Sequence, residues 1–482
     1  SSSYVATDPV FAATVGDLVE DLRGEGNVGS AVSYLDGIPG LIAEDGRTAL
    51  VVATLEGEGD AWDLVAPMLG VIEAANTSEF TVTAVGDGSI NNEFGTLADE
   101  TLQRGEILGL PVALLILVVV FGAAVAAGIP LILAVVAILV SIGMTVIVGQ
   151  AFELSFFVVN MITMIGLAVG IDYSLFVVQR FREERATGHS VIDSVERAGD
   201  SATRAVFFSG TTVVIALLGL LYMPDTVMRS LGIGAILVVI AAVAAALTLL
   251  PAVLGLLGDR VNKGKIPGLS DSAYHEGGGR FWHRITSIVT ARPVVSMLLA
   301  GGLLLAAASP YLGLSTGQNF IESLPEDSPG RHAFTVLNEE FNTGAVTTSI
   351  VVGASGDDTD IATAIPLLVA DLIADPAYGE VAVTPSADGE IVLIEAATKL
   401  DPSTNEARGA VATLRSEAIP AAFGDRADAV YVTGMAAGTV DYVEIIDSRM
   451  PVIFVFVLGL SFLLLMIVFR SIVVPLKAIV MN

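Results

Sequence analysis

Cysteine is absent from the 482 residues, which excludes disulfides, thiolate metal sites and cysteine nucleophiles together. Histidine is nearly absent: His189, His275, His283 and His332 are scattered, no two at metal-ligand spacing, so no zinc site is expected. Charge is scarce as well. Only 16% of residues are charged and 53% are hydrophobic, too apolar for a soluble protein and typical of a polytopic membrane protein. The formal net charge of −29 argues against nucleic acid as a partner. A phosphate-cradling loop is missing too. Its closest approach, GDRVNKGKI at 258–266, has five residues instead of four between its glycines and Ile266 after Lys265, so ATP is not the expected energy source. GLSTG at 313–317 has the form of a nucleophile elbow but follows an apolar run instead of a strand, so neither a hydrolase role for Ser315 nor any cofactor is expected.

What the chain does have is long apolar runs. Spans are expected at 108–126, 128–149, 155–178, 202–222, 229–257, 293–313 and 450–469, each near the roughly 20 residues that cross hydrocarbon, and an eighth begins near 471. Short connections at 180–204 and 258–292 hold 11 of the 23 basic residues, which puts both on the cytoplasmic side. Blocks 1–107 and 315–449 hold 41 acidic residues against 9 basic ones and face outward. An outward first block needs something upstream to carry it across, and SSSYVATDPVF is neither a signal peptide nor a span, so the reading is part of a longer polypeptide.

The outer blocks read as α+β modules of the split βαβ kind. In the first, strands are expected at 47–57 and 80–86 around a helix at 60–76. In the second, a strand at 347–354, a helix at 359–374, a hairpin at 380–396, a helix at 403–418 and a strand at 429–434 follow. TVTAVGDGSI at 81–90 aligns with YVTGMAAGTV at 431–440. Each is followed by a polar helical stretch, Pro111 or Pro451, an aliphatic run and a Val-Phe pair, the order of a tandem duplication. Such parallel repeats are a transporter architecture, with the site between halves.

One carboxylate stands out. Asp172 lies six residues before the end of its span, at about 1.5 Å per residue some 10 Å inside the membrane boundary, too deep and too short to snorkel. It is either a structural acid neutralised by a neighbour or a protonatable relay, and an ionisable residue at that depth marks an ion pathway by default. Tyr173, turned about 100° from it, supplies a hydroxyl toward another helix. Gly166 and Gly170 form a small-xxx-small face for close helix approach, and Asn160 lies three turns earlier. Segment 279–292, GRFWHRITSIVTAR, has the pattern of an interfacial amphipathic helix that anchors the next span.

The stretch GLAVGIDYSLFVVQRFREE resembles the fourth-span motif of the MmpL (mycobacterial membrane protein large) family in the resistance-nodulation-division superfamily: Asp172-Tyr173, an aliphatic stretch, then Arg180-Phe181-Arg182-Glu183-Glu184. The similarity extends to RAVFFSGTTVVIALLGLL at 204–221, with Ser209-Gly210, and to 279–293 and 313–330. It implies an inner-membrane exporter of twelve spans with two outward porter domains, moving lipids or other hydrophobic or amphipathic molecules by proton-motive force. Asp172 would carry the proton with Tyr173 as companion, and Ser209, Gly166, Gly170 and Asn160 would support the relay or pack helices. The family's second Asp-Tyr pair has no counterpart in a span here, since Asp441-Tyr442 precedes one, so a second membrane half is an expected partner. Monomer and homo-oligomer both stay open, as does the substrate.

The expected organisation is a first porter domain at 1–107, a five-span bundle at 108–257, a cytoplasmic linker at 258–292 and a span at 293–313. A second porter domain at 314–449 and a truncated second bundle at 450–482 complete it. Two rival readings are a SecD/SecF-like protein-export accessory and a sterol-sensing-domain-like lipid receptor. A receptor would tolerate loss of the Asp172 charge.

Overall fold

Backbone groups in hydrocarbon have no water to bond, so an apolar run that crosses a membrane closes its hydrogen bonds internally, as a helix. A computed structural model describes residues 1, 3–57, 61–265, 279–313, 324–341, 347–353, 359–386, 388–400 and 404–481. Residues 266–278 of the inner linker and 314–317, with Ser315, lie outside them. Among the described residues seven helical segments are long and apolar enough to cross a membrane: Gly88–Phe121, Ala124–Val148, Phe157–Ala186, Val191–Tyr222, Thr226–Asn262, Pro293–Tyr311 and Met435–Phe469. They correspond one to one with the seven full spans expected from hydropathy, and the chain is a multi-pass membrane protein. It divides into two compact units, Ser1–Ala98 with Ser315–Glu444, and Asp99–Leu314 with Ile445–Asn482.

In the first unit, with elements numbered in chain order, α1 (Pro9–Gly24) starts on a proline, whose missing N–H costs nothing there. Its stripe of Phe11, Val15, Leu18, Val19 and Leu22 is buried with residues of the antiparallel pair β1 (Val28–Val32) and β2 (Val52–Leu55) and of α2 (Ala61–Ala75). Residues 80–86, expected as a strand, are not one. Asn76 takes the place of a neighbouring strand: Val82 N–H donates to its Oδ1 at 2.8 Å, and its Nδ2 donates to the Val82 carbonyl at 2.9 Å. Neither α1 nor β1 was apparent from alternation in the sequence.

Block 315–449 shows the element order expected of a split βαβ module. β3 (Thr347–Gly353), α13 (Thr359–Ala374), β4 (Tyr378–Pro385), β5 (Ile391–Thr398), α14 (Asn405–Thr413), α15 (Ile419–Phe423) and β6 (Val430–Gly434) follow in order. The antiparallel sheet runs β4-β5-β3-β6, so each helical connection, β3 to β4 and β5 to β6, passes over one strand to reach a strand that is not its neighbour in the sheet. α12 (Pro329–Phe341) precedes it, and the Gly330 N–H at its start donates to Glu93 at 3.0 Å. Arg415 donates to both carboxylate oxygens of Asp441 and, at 2.8 Å, to the Val432 carbonyl. The carboxylate holds the guanidinium pKa above its usual value, and Asp441 is thereby engaged in a structural ion pair.

The membrane unit takes in most of α3 (Asp87–Phe121), then α4 (Ala124–Val148), α5 (Phe157–Ala186), α6 (Val191–Ala198), α7 (Arg204–Leu217), α8 (Thr226–Leu247) and α9 (Leu249–Leu257). α6 runs through a π turn at 199–203 into α7. The linker helix α10 (Gly279–Ala291) follows where amphipathicity placed it, then α11 (Pro293–Ala308), most of α16 (Met435–Phe469) and α17 (Val473–Met481). α5 is central, packed against α4 and α8, and Tyr173, Val177 and Phe181 join Leu133, Leu250 and Leu254 in the main core. The apolar windows of α11 and α16 are uncovered by the described residues.

Two outcomes follow from the unit Ser1–Ala98 with Ser315–Glu444. The Tyr378 hydroxyl is buried with no hydrogen-bond partner among the described residues, and burial, helped by Asp375, pushes it up to about 12. An unpaired buried hydroxyl costs about 1–3 kcal/mol, so Tyr378→Phe is expected to raise stability by about 1 kcal/mol, read from denaturant unfolding; a loss would reveal a missed partner. The unit also holds 37 Asp and Glu against 7 Lys and Arg. Screening contracts from about 10 Å at 0.1 M salt to about 3 Å at 1 M, so the unfolding midpoint of this unit should rise by several degrees across that range. A flat profile in a thermal melt would show that self-repulsion is unimportant.

Candidate functional site

α5 can pack closely because it presents glycine where its neighbours come nearest. A Cβ built on Gly170 would stand 2.7 Å from the Ala134 Cα of α4, and one on Gly166 would stand 2.5 Å from Ile138 of α4 and 2.8 Å from Val238 of α8. Neither position has room for a side chain, and both glycines are buried. Ser174, also buried, turns its hydroxyl back to the Gly170 carbonyl at 2.5 Å.

That contact sets the rotation of α5. At about 100° per residue, Tyr173 lies about 60° round from Gly170 while Asp172 lies about 160° away. Tyr173 is accordingly buried, 6% exposed, and its hydroxyl interacts with the Ser209 side chain of α7. A Cβ on Gly210 would stand at ordinary contact distance, 3.6 Å, from the Tyr173 ring and hydroxyl but 2.3 Å from Val243 of α8, so this glycine, beside the tyrosine, makes room for Val243.

Asp172 takes the other side. It is exposed, in a stripe with Met164, Ala168 and Phe176 at four-residue spacing, and its carboxylate makes no hydrogen bond or ion pair with the described residues. The structure therefore brings Tyr173 and Ser209 together and turns Asp172 outward, with no neutralising partner for it among the described residues. Asn160 is half-buried and about 18 Å from Asp172 along the helix, so it joins neither group. Among the described residues no three His, Asp or Glu side chains gather as a metal site requires.

The inner end of α5 is a second polar region. Arg180 pairs with Glu183 at 3.1 Å and with the buried Glu184 at 2.7 Å, His189 Nδ1 stands 3.3 Å from Glu184, and Arg185 pairs with Asp259. Arg182, alone among these arginines, is buried, at 6% exposure, and reaches Asn262, which no sequence motif singled out.

If glycine contact fixes α5, adding one methyl at Gly170 should cost about 1–3 kcal/mol by overpacking against backbone. Gly170→Ala is therefore expected to lower the unfolding midpoint of the purified protein. Gly128→Ala in α4, where a Cβ meets nothing within 4 Å, should leave it unchanged or raise it. Equal losses in both variants would count against the close approach.

The MMPL family model matches residues 5–296 and 324–481. A putative membrane protein of Streptomyces coelicolor, SCO6666, is 33% identical over 485 residues, covering 98% of this chain and 64% of its own length. The mycolic acid-containing lipids exporter MmpL11 of Mycolicibacterium smegmatis is 30% identical over 405 residues, 83% of this chain and 42% of that protein. The heme uptake protein MmpL11 of Mycobacterium tuberculosis is 28% identical over 417 residues, 83% of this chain and 41% of its own. The chain thus spans between 41% and 64% of the length of these relatives.

Proposed function

Since the chain belongs to the MMPL family, we propose that it forms the first half, and the start of the second, of a proton-driven exporter of lipids or other hydrophobic molecules across the bacterial plasma membrane. The observation that carries the reading is Asp172: a carboxylate at membrane depth, uncovered by its own bundle, one residue from a buried tyrosine. Left ionised against lipid, an aspartate at the centre of a span costs about 2.5–3.5 kcal/mol on insertion scales and more by simulation. Such a side chain is retained where it faces water, a second protein surface or a proton.

In this reading the stripe of Met164, Ala168, Asp172 and Phe176 meets a second membrane bundle, the tandem partner of the first, supplied by the remainder of the polypeptide or by another copy. Protonation makes the stripe uniformly apolar and favours its closure; deprotonation favours a hydrated arrangement. Tyr173, held by Ser209, offers the hydroxyl along which the proton passes. One proton moving down 100 mV and one pH unit yields about 2.3 plus 1.4 kcal/mol, of the size that shifts a two-state equilibrium several hundred-fold. That bias would rock the two outer porter domains, the second with its four-stranded sheet, so that cargo moves between them. Lipid cargo is the choice that fits the M. smegmatis relative by its name.

The test compares cells producing the full-length protein as wild type or Asp172→Asn, with lipids of the plasma membrane and the outer envelope measured separately. One lipid class should accumulate inside and fall at least several-fold outside in the variant. Unchanged lipids in Asp172→Asn refute lipid export coupled through Asp172, and a lipid receptor or an exporter of heme, secreted proteins or small metabolites becomes the reading to assay.

A further inference from the structure

Arginines at the inner end of a span ordinarily set topology and reach for headgroups, and Arg180, Arg197 and Arg204 have the exposure that role requires. Arg182 has turned inward instead. Its Nη1 donates to the Phe121 carbonyl at 2.8 Å, its Nε donates to Asn262 Oδ1 at 2.8 Å, and its guanidinium stands 5.6 Å from the centre of the Phe121 ring. Phe121 ends α3, and its carbonyl is one of the last four that a helix cannot satisfy internally, at the end of the helix that favours a cation.

The chain then turns through Gly122, at φ 61°, and pairs by backbone with the segment after α9: Ala124 N–H donates to the Gly264 carbonyl at 3.1 Å, and Ala123 bridges Lys265. One side chain therefore joins three stretches far apart in sequence: the end of α3, the end of α5 and the 258–265 turn.

We infer that Arg182 is a positioning residue for the relay, fixing the rotation and depth of α5 from its inner end so that Asp172 and Tyr173 are held in register with the bundle. The inference rests on the relay reading of Asp172. From Arg182 to Asp172 is ten residues, about 15 Å of continuous helix. The glycine contact sets the rotation of α5 along its middle; the anchor at its end adds a second hold on that rotation and opposes sliding along the helix axis. Two of the anchor's acceptors, the Phe121 carbonyl and the Asn262 amide, do not titrate.

Among the elements packed against α5, α4 and α9 have no ionisable side chain, α6 has Asp193, Glu196 and Arg197, the π turn after it has Asp200, α7 has Arg204 and α8 has Arg229, and Tyr173 adjoins Asp172 on α5 itself. Around the anchor stand Arg180, Glu183, Glu184, Arg185 and His189 from α5 and the turn after it, and Asp259, Arg260, Lys263 and Lys265 from the turn after α9.

The experiment follows the carboxyl band of Asp172 by infrared difference spectroscopy of the full-length protein in lipid vesicles, titrated with pH, the band being the one lost in Asp172→Asn. In Arg182→Gln the midpoint should move by about one pH unit, the spread that local environment commonly gives a carboxyl. Arg182→Lys, which keeps the charge but not the fork, should fall between it and wild type. Asn262→Ala, which removes one acceptor and leaves the arginine intact, should move it in the same direction by less, and serves if Arg182→Gln does not fold. A titrating band with the wild-type midpoint in Arg182→Gln, or in Asn262→Ala if that variant alone folds, overturns the positioning role. A wild-type protein in which no Asp172 band titrates overturns the relay reading beneath it.

Discussion

The approach of α5 to α4 at Gly166 and Gly170 is the contact on which the rest of the membrane unit depends. Two missing side chains let the helices meet at backbone distance, and at that distance the rotation of α5 is fixed. Everything chemical on the helix follows from its angle to that contact. Tyr173 falls inward beside Ser209 and Gly210, and Asp172 falls outward in a stripe of apolar residues. Hydrophobic driving force contributes little here, since lipid is as apolar as leucine; shape and polar contacts decide which helices touch.

The polar contacts are concentrated at the inner end. Arg182 satisfies a terminal carbonyl of α3, Arg185 meets Asp259, and Arg180 neutralises a buried Glu184. A motif that reads as a run of alternating charge is thus divided by the helix into distinct duties. The Arg-Phe-Arg-Glu-Glu stretch alternates between exposed and buried faces as the helix turns: buried Arg182 is tied to segments 61 and 80 residues away in the chain, while buried Glu184 pairs locally with Arg180 and His189.

The unit Ser1–Ala98 with Ser315–Glu444 follows a different physics. Its second block has a four-stranded sheet with a buried core of Ile350, Val352, Ile394 and Leu368, and a split βαβ order that alternation and turn residues made legible. Its first block was read less well. A strand was expected at 80–86 because the residues alternate, yet the Asn76 side chain takes the hydrogen bonds a neighbouring strand would have taken. β-propensity reports a fit to a pleated surface, and it cannot reveal a local side chain competing for the same backbone.

The sequence by itself determined the seven spans and showed that one of them carries the Asp172-Tyr173 pair. These are local quantities: about 20 apolar residues in a row, and an ionisable group within such a run. The tertiary structure alone decided that Asp172 faces away from its own bundle, that Tyr173 meets Ser209, and that Arg182 is an anchor and not a headgroup contact. Each of these depends on which face of α5 is turned toward a neighbour. That is set by Ala134, Ile138, Val238 and Asn262, residues tens of positions away, whose arrangement no window along the chain contains.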